Sequence, residues 1–250
     1  MLAAVFFAII VPSTSAEWTI TSSNSLGSPA EGIQVIESSC RDGKASARVT
    51  AIVFNEKQAN LRVVDSPSPG SATLENTLRH AGVPAGVNGG YFHPDHKPIG
   101  LVVANGESIH SYEKAKLLTG IVGAKKDGRV SIIRSTTYQK KPVTYRDAIQ
   151  CGPMLVEDSS PVAGLNAERI ARRTVAATGS GGNAALVYIT SVTLADAANI
   201  LSLPNIFGTW SPTSALNLDG GTSSGLWADN VVSLPEIKRV RNFLGVVPRD

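Results

Sequence analysis

Thr174-Val175-Ala176-Ala177-Thr178, then Gly179-Ser180-Gly181-Gly182-Asn183, then Ala184-Ala185-Leu186-Val187-Tyr188-Ile189 carry the clearest fold signal in the chain. Two apolar runs of strand length flank a glycine-rich turn, the pattern of an antiparallel hairpin. Thr193 follows as a helix N-cap. From Leu194 to Leu203, residues Leu194, Ala197, Ala198 and Leu201 fall on one helical face. A hairpin leading directly into a short amphipathic helix is an α+β pattern.

The upstream chain repeats that grammar. Ile33 to Glu37 alternates loosely, and Ala47 to Phe54 and Leu61 to Val64 are rich in β-branched residues. Thr73 to His80 has Leu74 and Leu78 four apart behind Thr73, which predicts a second helix that Gly82-Val83-Pro84 ends. Gly100 to Val103, Thr119 to Gly123, Arg129 to Ile133 and Ala148 to Val156 read as further strands, with a turn at Lys125 to Gly128. Downstream, Ala215 to Leu218 and Asn242 to Val247 complete the set. Many strands and two helices predict an α+β single domain, built on a mixed, mainly antiparallel sheet with a few packed helices.

Composition agrees with one folded body. The chain has 250 residues, 42% hydrophobic and 17% charged, which excludes wholesale disorder. A formal net charge of +3 gives no nucleic-acid footprint, and 6% aromatics make a poor base-stacking platform, so no nucleic-acid partner is expected.

Leu2 to Val11 is an unbroken apolar run followed by Pro12-Ser13-Thr14-Ser15-Ala16. It is shorter than the roughly 20 residues that span a bilayer and ends in small residues suited to signal peptidase. Residues 1–16 are therefore read as a signal peptide and 17–250 as the mature domain, exported to the periplasm or beyond, with no membrane segment after cleavage. No basic residue precedes the run, a departure from the usual pattern. An exported chain could pair its two cysteines, Cys40 and Cys151. That would close a loop of more than about 100 residues, worth up to about 4–5 kcal/mol in the entropic account. Spacing alone leaves the pairing open.

Several chemistries fail on pattern. No Walker loop, H-E-x-x-H, EF-hand loop or G-x-G-x-x-G occurs. Gly221-Thr222-Ser223-Ser224-Gly225 fits G-x-S-x-G, but all four histidines precede it, against the hydrolase order of Ser before His. His93-Pro94-Asp95-His96 offers metal-ligand side chains without a third spaced ligand. Arg169-Arg172-Arg173 and Lys238-Arg239-Arg241 read as solvated basic faces. No metal site and no resident cofactor are expected, with a divalent cation left open.

Two diglycine corners stand out. Asn88-Gly89-Gly90 and Asp219-Gly220-Gly221 each put an amide or carboxylate at the end of a short apolar strand, beside backbone with no Cβ. Glycine there allows positive φ or close approach of a ligand, and turn N–H groups can gather round an anion. Ser223 and Ser224 add hydroxyls, and Arg173-Thr174 brings a guanidinium suited to phosphate. Two readings stay open: an anion site, or two turns whose glycines serve geometry.

In order along the chain come Asn88-Gly89-Gly90-Tyr91-Phe92, Pro98-Ile99-Gly100-Leu101-Val102-Val103, Asn105-Gly106-Glu107, Gly152-Pro153-Met154-Leu155-Val156, Arg173-Thr174, Leu216-Asn217-Leu218-Asp219-Gly220-Gly221-Thr222-Ser223-Ser224 and Arg241-Asn242-Phe243-Leu244-Gly245. This string, over roughly residues 45–248, resembles the phosphodiester glycosidase family, whose bacterial members are described as exopolysaccharide-associated. The resemblance implies hydrolysis between a sugar anomeric carbon and a phosphodiester oxygen, with a carbohydrate or sugar-phosphate substrate. It implies Asp219 as nucleophile, base or oxocarbenium stabiliser and Arg173 as phosphate holder. Asn88 would bind a sugar hydroxyl or orient Asp219, and His93 and Glu157 are candidates for a second acid/base. Gly89, Gly90, Gly152, Thr174, Gly220, Gly221, Ser223 and Ser224 are expected around the substrate. Thr222 stands where the family often has glycine, and Cys151 precedes the Gly-Pro pair. The competing class is a non-catalytic envelope protein that binds a glycan or anionic polymer.

Overall fold

From Val49 to Phe54 only Thr50 interrupts an apolar run, because this part of the strand is covered on both faces. In the computed structural model, which describes residues 17–66 and 73–249, it belongs to the strand Ala45–Asn55. Val49, Ala51 and Val53 face one hydrophobic cluster, and Ile52 and Phe54 face another. The neighbouring strand Asn183–Val192 divides in the same way, Ala185, Val187 and Ile189 against Ala184, Leu186 and Tyr188. Period-two alternation is present; burial on both sides hides it from a polarity reading.

These strands lie at the centre of an eight-stranded sheet. Its spatial order is Thr19–Ala30, Ile33–Asp42, Ala45–Asn55, Asn183–Val192, Ala171–Thr178, Ser214–Asn217, Met154–Glu157 and Ser160–Pro161. A second sheet contains Glu107–His110, Val102–Ala104, Asp147–Cys151, Gly120–Ala124 and Val130–Arg134; a third contains Val232–Leu234, Leu226–Ala228, Ala85–Asn88, Asn242–Pro248 and Ala59–Asp65. The α+β class stands, with the strands divided among three sheets. Every ladder among the described residues is antiparallel.

The helix Leu194–Leu201 packs Ala197, Ala198, Ile200 and Leu201 onto one face of the large sheet. Its start is fixed by a capping box: Thr193 Oγ1 accepts from Asp196 N at 3.0 Å, and Asp196 Oδ2 accepts from Thr193 N at 3.3 Å. The helix Leu74–His80 is capped by Thr73 and buries Leu74 and Leu78 against Val83, Trp227 and Phe243. A third, Ser135–Lys140, has no side-chain cap and a polar sequence, STTYQK, and carries no periodic signal.

Two sequence expectations change in detail. The span Ala148 to Val156 is two strands, because the chain leaves the second sheet at Cys151, turns at the cis Gly152–Pro153 bond and enters the large sheet at Met154. Cys40 and Cys151 are both buried free thiols. They belong to the clusters on opposite faces of the large sheet, so they are not placed to bond. Burial pushes the Cys40 thiol up to about 11 and Cys151 higher still. The signal-peptide reading of residues 1–16 falls outside the described residues. No described helix is long and apolar enough to cross a membrane.

Candidate functional site

The three sheets meet where several motif residues end their strands. Asn88 terminates Ala85–Asn88 of the third sheet, Cys151 terminates a strand of the second, and Asn217 terminates Ser214–Asn217 of the first, two residues before Asp219. The two diglycine corners are joined directly. Asn88 Nδ2 donates to the Asp219 carbonyl at 2.7 Å, and Asp219 N donates to the Gly89 carbonyl at 3.1 Å.

Asn88 is fully buried. Its Oδ1 accepts from Thr174 Oγ1 at 2.6 Å and from Gly225 N at 3.1 Å. The side chain is a four-way link among the corners, the Arg173-Thr174 strand and the turn after Ser224. Of the two roles the sequence offers, contact with a sugar hydroxyl is closed by burial, and holding the Asp219 backbone is what the bonds do. Thr174 is likewise buried, with its hydroxyl on Asn88. Gly89 N and Gly90 N both donate to Asn242, through its carbonyl and Oδ1, each at 2.8 Å. A Cβ on Gly89 would stand 2.0 Å from Asn242 Oδ1. Those glycines serve close packing, and their amides are not available to an anion. Gly152 is similar: a Cβ there would meet the Leu117 carbonyl at 2.1 Å.

Around Asp219 the surface opens into a cleft of about 390 Å³, lined among others by Tyr91, Phe92, Asp219, Gly220, Ser223 and Lys238. That size suits a small-molecule site. Asp219 is its lone carboxylate. Burial raises the Asp219 carboxyl above its usual range; Ser223, Gly220 N–H and the Lys238 charge act in the opposite direction without cancelling it. Gly220 N donates to Asp219 Oδ1 at 2.9 Å. Lys238 sits 4.9 Å over the Phe92 ring, which holds its ammonium at the cleft wall.

Arg173 stands behind Gly220. It is 7% exposed, and its Nε and Nη2 are bound by the carbonyls of Val192 at 3.0 Å and Arg169 at 2.5 Å. No carboxylate lies within ion-pair distance of it among the described residues. Its Nη1 lies 4.0 Å from the point where a Cβ on Gly220 would stand. Gly220, which lines the cleft, thus has the buried guanidinium and the Arg172 carbonyl (3.2 Å) on the side where a Cβ would project. Burial, then the Arg169 charge, lowers the pKa of Arg173; buried charges are costly unless an opposite charge arrives.

Other expected residues lie elsewhere. His93 is exposed on its loop and does not line the cleft. Asp95 pairs with Lys97 at 3.0 Å while His96 turns inward to the Ser66 carbonyl at 3.0 Å, so the His-Pro-Asp-His side chains do not converge. No cluster of three metal-ligating side chains occurs among the described residues. Glu157 is bound by Arg134 through both carboxylate oxygens, Nε to Oε1 at 2.6 Å, away from Asp219's cleft. A surface ion pair satisfies it, which removes it as a second acid. Ser224 is fully buried and Gly221 lies outside the lining, whereas Ser223 is in it. No histidine lines the cleft, so Ser223 has no Ser-His pairing there, and its hydroxyl instead bonds the Asp219 carboxylate.

Sequence reasoning missed Tyr91 and Lys238 as site residues. The Tyr91 hydroxyl donates to the Gly152 carbonyl at 2.5 Å. Burial first, then the neighbouring Cys151 and Asp219, pushes its phenol far up, so it stays a neutral donor. Its signal was adjacency to Gly90. Lys238 gave none, since a basic trio ordinarily faces solvent.

The sequence profile of the phosphodiester glycosidase family matches residues 81–247, and the chain belongs to that family. Among solved structures, a hypothetical protein from Synechocystis shares the fold with TM-score 0.69 at 16% identity, over 87% of this chain and 62% of that one. The present chain thus spans less than two thirds of that protein. The catalytic domain of zebrafish N-acetylglucosamine-1-phosphodiester alpha-N-acetylglucosaminidase, auto-inhibited by pro-peptide, gives TM-score 0.66 at 14% identity, covering 91% and 88% of the two chains. A Burkholderia pseudomallei protein described as exported gives 0.56 at 13%, covering 86% and 74%. At such identities these likenesses establish the fold. Comparison with curated proteins gives no match.

Proposed function

We propose that this chain is an exported hydrolase that cleaves the bond between a sugar anomeric carbon and a phosphodiester oxygen, acting on envelope or extracellular glycans. One observation carries the reading: Asp219 is a lone, half-buried carboxylate in a cleft that is flanked by Lys238 on its wall and Arg173 behind Gly220. Family membership, and the zebrafish enzyme's name, support the substrate class. The N-terminal apolar run and the likeness to an exported protein support the compartment.

Most glycosidases need two carboxylates, one to protonate the leaving oxygen. Here the leaving group is a phosphate monoester with a second pKa of about 6, which departs without a proton. The C1–O bond breaks, and its electron pair stays on the phosphate, where Arg173 and Lys238 offset the growing charge. Ionised Asp219 faces the anomeric carbon, as nucleophile or as partner to the oxocarbenium ion. Water supplies the new hydroxyl at C1, and its proton leaves to solvent. Gly220 and Ser223 line the phosphate side.

The test is release of reducing sugar from a synthetic α-sugar-1-phosphodiester across pH. Because Asp219 must be ionised, kcat/KM is expected to rise with pH through a midpoint above the ordinary carboxylate value of about 4. Lys238→Met should move that midpoint further up, since the Lys238 charge lowers the Asp219 pKa. A midpoint unmoved by Lys238→Met, or a rate that falls through this limb, counts against Asp219. Binding without release of sugar favours the glycan-binding alternative.

A further inference from the structure

The molecule carries a second and larger cleft, about 690 Å³, at the other end of the large sheet. Asn183 lies on its wall, six positions along its strand from Ile189, the register partner of Arg173. At strand spacing this sets the two clefts on the order of 20 Å apart. We propose that this groove is a non-catalytic binding site for an uncharged glycan chain.

No Asp, Glu, Lys, Arg or His lines the groove, although the cleft at Asp219 has both signs of charge. A groove without cations offers phosphate no opposite charge, and one without carboxylates offers none to a basic peptide or a metal ion, so a neutral ligand fits it best.

Asn24, Gln34 and Gln58 face the groove, and their side-chain amides make no hydrogen bond among those recorded for the described residues. Each amide offers donors and an acceptor together. A sugar hydroxyl is also donor and acceptor, so neutral amides match it without the desolvation cost of a charge.

An aromatic platform is already in place. Trp210 lines the groove half-buried. Its ring edge packs on Gly179, where a Cβ would stand 2.5 Å from Trp210 Cε3, and Phe207 lies 4.9 Å away at 58°. The loop that carries both rings is anchored by Ser38 Oγ on the Ile206 carbonyl at 3.0 Å and by Ser211 Oγ, which accepts from Asn205 N at 2.8 Å. A fixed ring with an apolar face and polar N–H suits the C–H face and hydroxyl rim of a pyranose. The proposal does not rest on catalysis at Asp219.

Trp210 also supplies the readout. Trp18 and Trp227, the other two tryptophans, are each 4% exposed, so solvent quenching of emission reports mainly on Trp210. The probes are maltohexaose, cellohexaose and chitohexaose, added to the Asp219→Asn protein so that turnover plays no part. At least one probe is expected to change the emission saturably, protect it from acrylamide and bind equally in 0.5 M NaCl. The exposed-site variant Gln34→Ala with Gln58→Ala should weaken that binding at least tenfold by calorimetry, with an unchanged far-UV spectrum. Lack of binding by all three probes, binding unaffected by the double variant, or binding abolished by salt would each overturn the proposal. Loss of hydrolysis in the parent protein would leave it standing.

Discussion

Asp219→Asn is expected to lower kcat/KM on a sugar-1-phosphodiester by at least about a thousandfold, the scale of losing a principal charge-stabilising or nucleophilic group. It should also raise Tm at pH 7. The sign follows from linkage. Burial raises the Asp219 carboxyl above its unfolded value, so the folded state favours the protonated form. The stability tied to this group is complete below the unfolded pKa and is lost as pH rises through the folded one. At neutral pH the wild-type protein holds an ion that burial disfavours, whereas asparagine can still accept from Gly220 N–H, now at 2.9 Å on Oδ1. The Tm gap should close near pH 3, where the carboxyl is protonated in both states. Function and stability oppose each other at such sites. A variant that retains activity, or one less stable than wild type at pH 7, contradicts this account.

Asn88→Ala should destabilise the protein by about 3–5 kcal/mol. It leaves Thr174 Oγ1, Gly225 N and the Asp219 carbonyl without their partner, and a buried polar group left unpaired costs about 1–3 kcal/mol. Urea unfolding checks this as a lower midpoint at unchanged slope. At a temperature where the variant stays folded, kcat should fall and KM hold, because Asn88 positions Asp219 and does not reach the cleft. A loss below about 1 kcal/mol with a tenfold rise in KM would make Asn88 a substrate contact instead.

The parts of this architecture that were legible in the sequence are those written in local chemistry. The glycine turn between Thr178 and Ala184 and the caps at Thr73 and Thr193 need no distant partner to be read. The proximity of the two diglycine corners came from their order along a family-like string. What escaped depends on distant contacts. Thr19–Ala30 is a largely exposed edge strand with a polar sequence, held by its register with Ile33–Asp42, so it shows no apolar pattern. Ala148 to Val156 is apolar apart from the buried Gln150, which conceals its change of sheet at Gly152. Glu157 is a candidate acid by sequence, and only the fold brings Arg134, 23 residues earlier, onto its carboxylate. The glycine amides at Gly89 and Gly90 looked like anion donors because nothing local reveals that Asn242, at the far end of the chain, occupies them.

Two bonds of a sugar-1-phosphodiester could yield to water: C1–O or P–O. Hydrolysis of a sugar-1-phosphodiester in water enriched in oxygen-18, with both products read by mass spectrometry, shows directly which one breaks. A single Asp219 working at the anomeric carbon predicts the heavy oxygen on C1 of the released sugar and an unlabelled phosphate monoester. Heavy oxygen on the phosphate would mean attack at phosphorus, and the chain would be a phosphodiesterase of another kind.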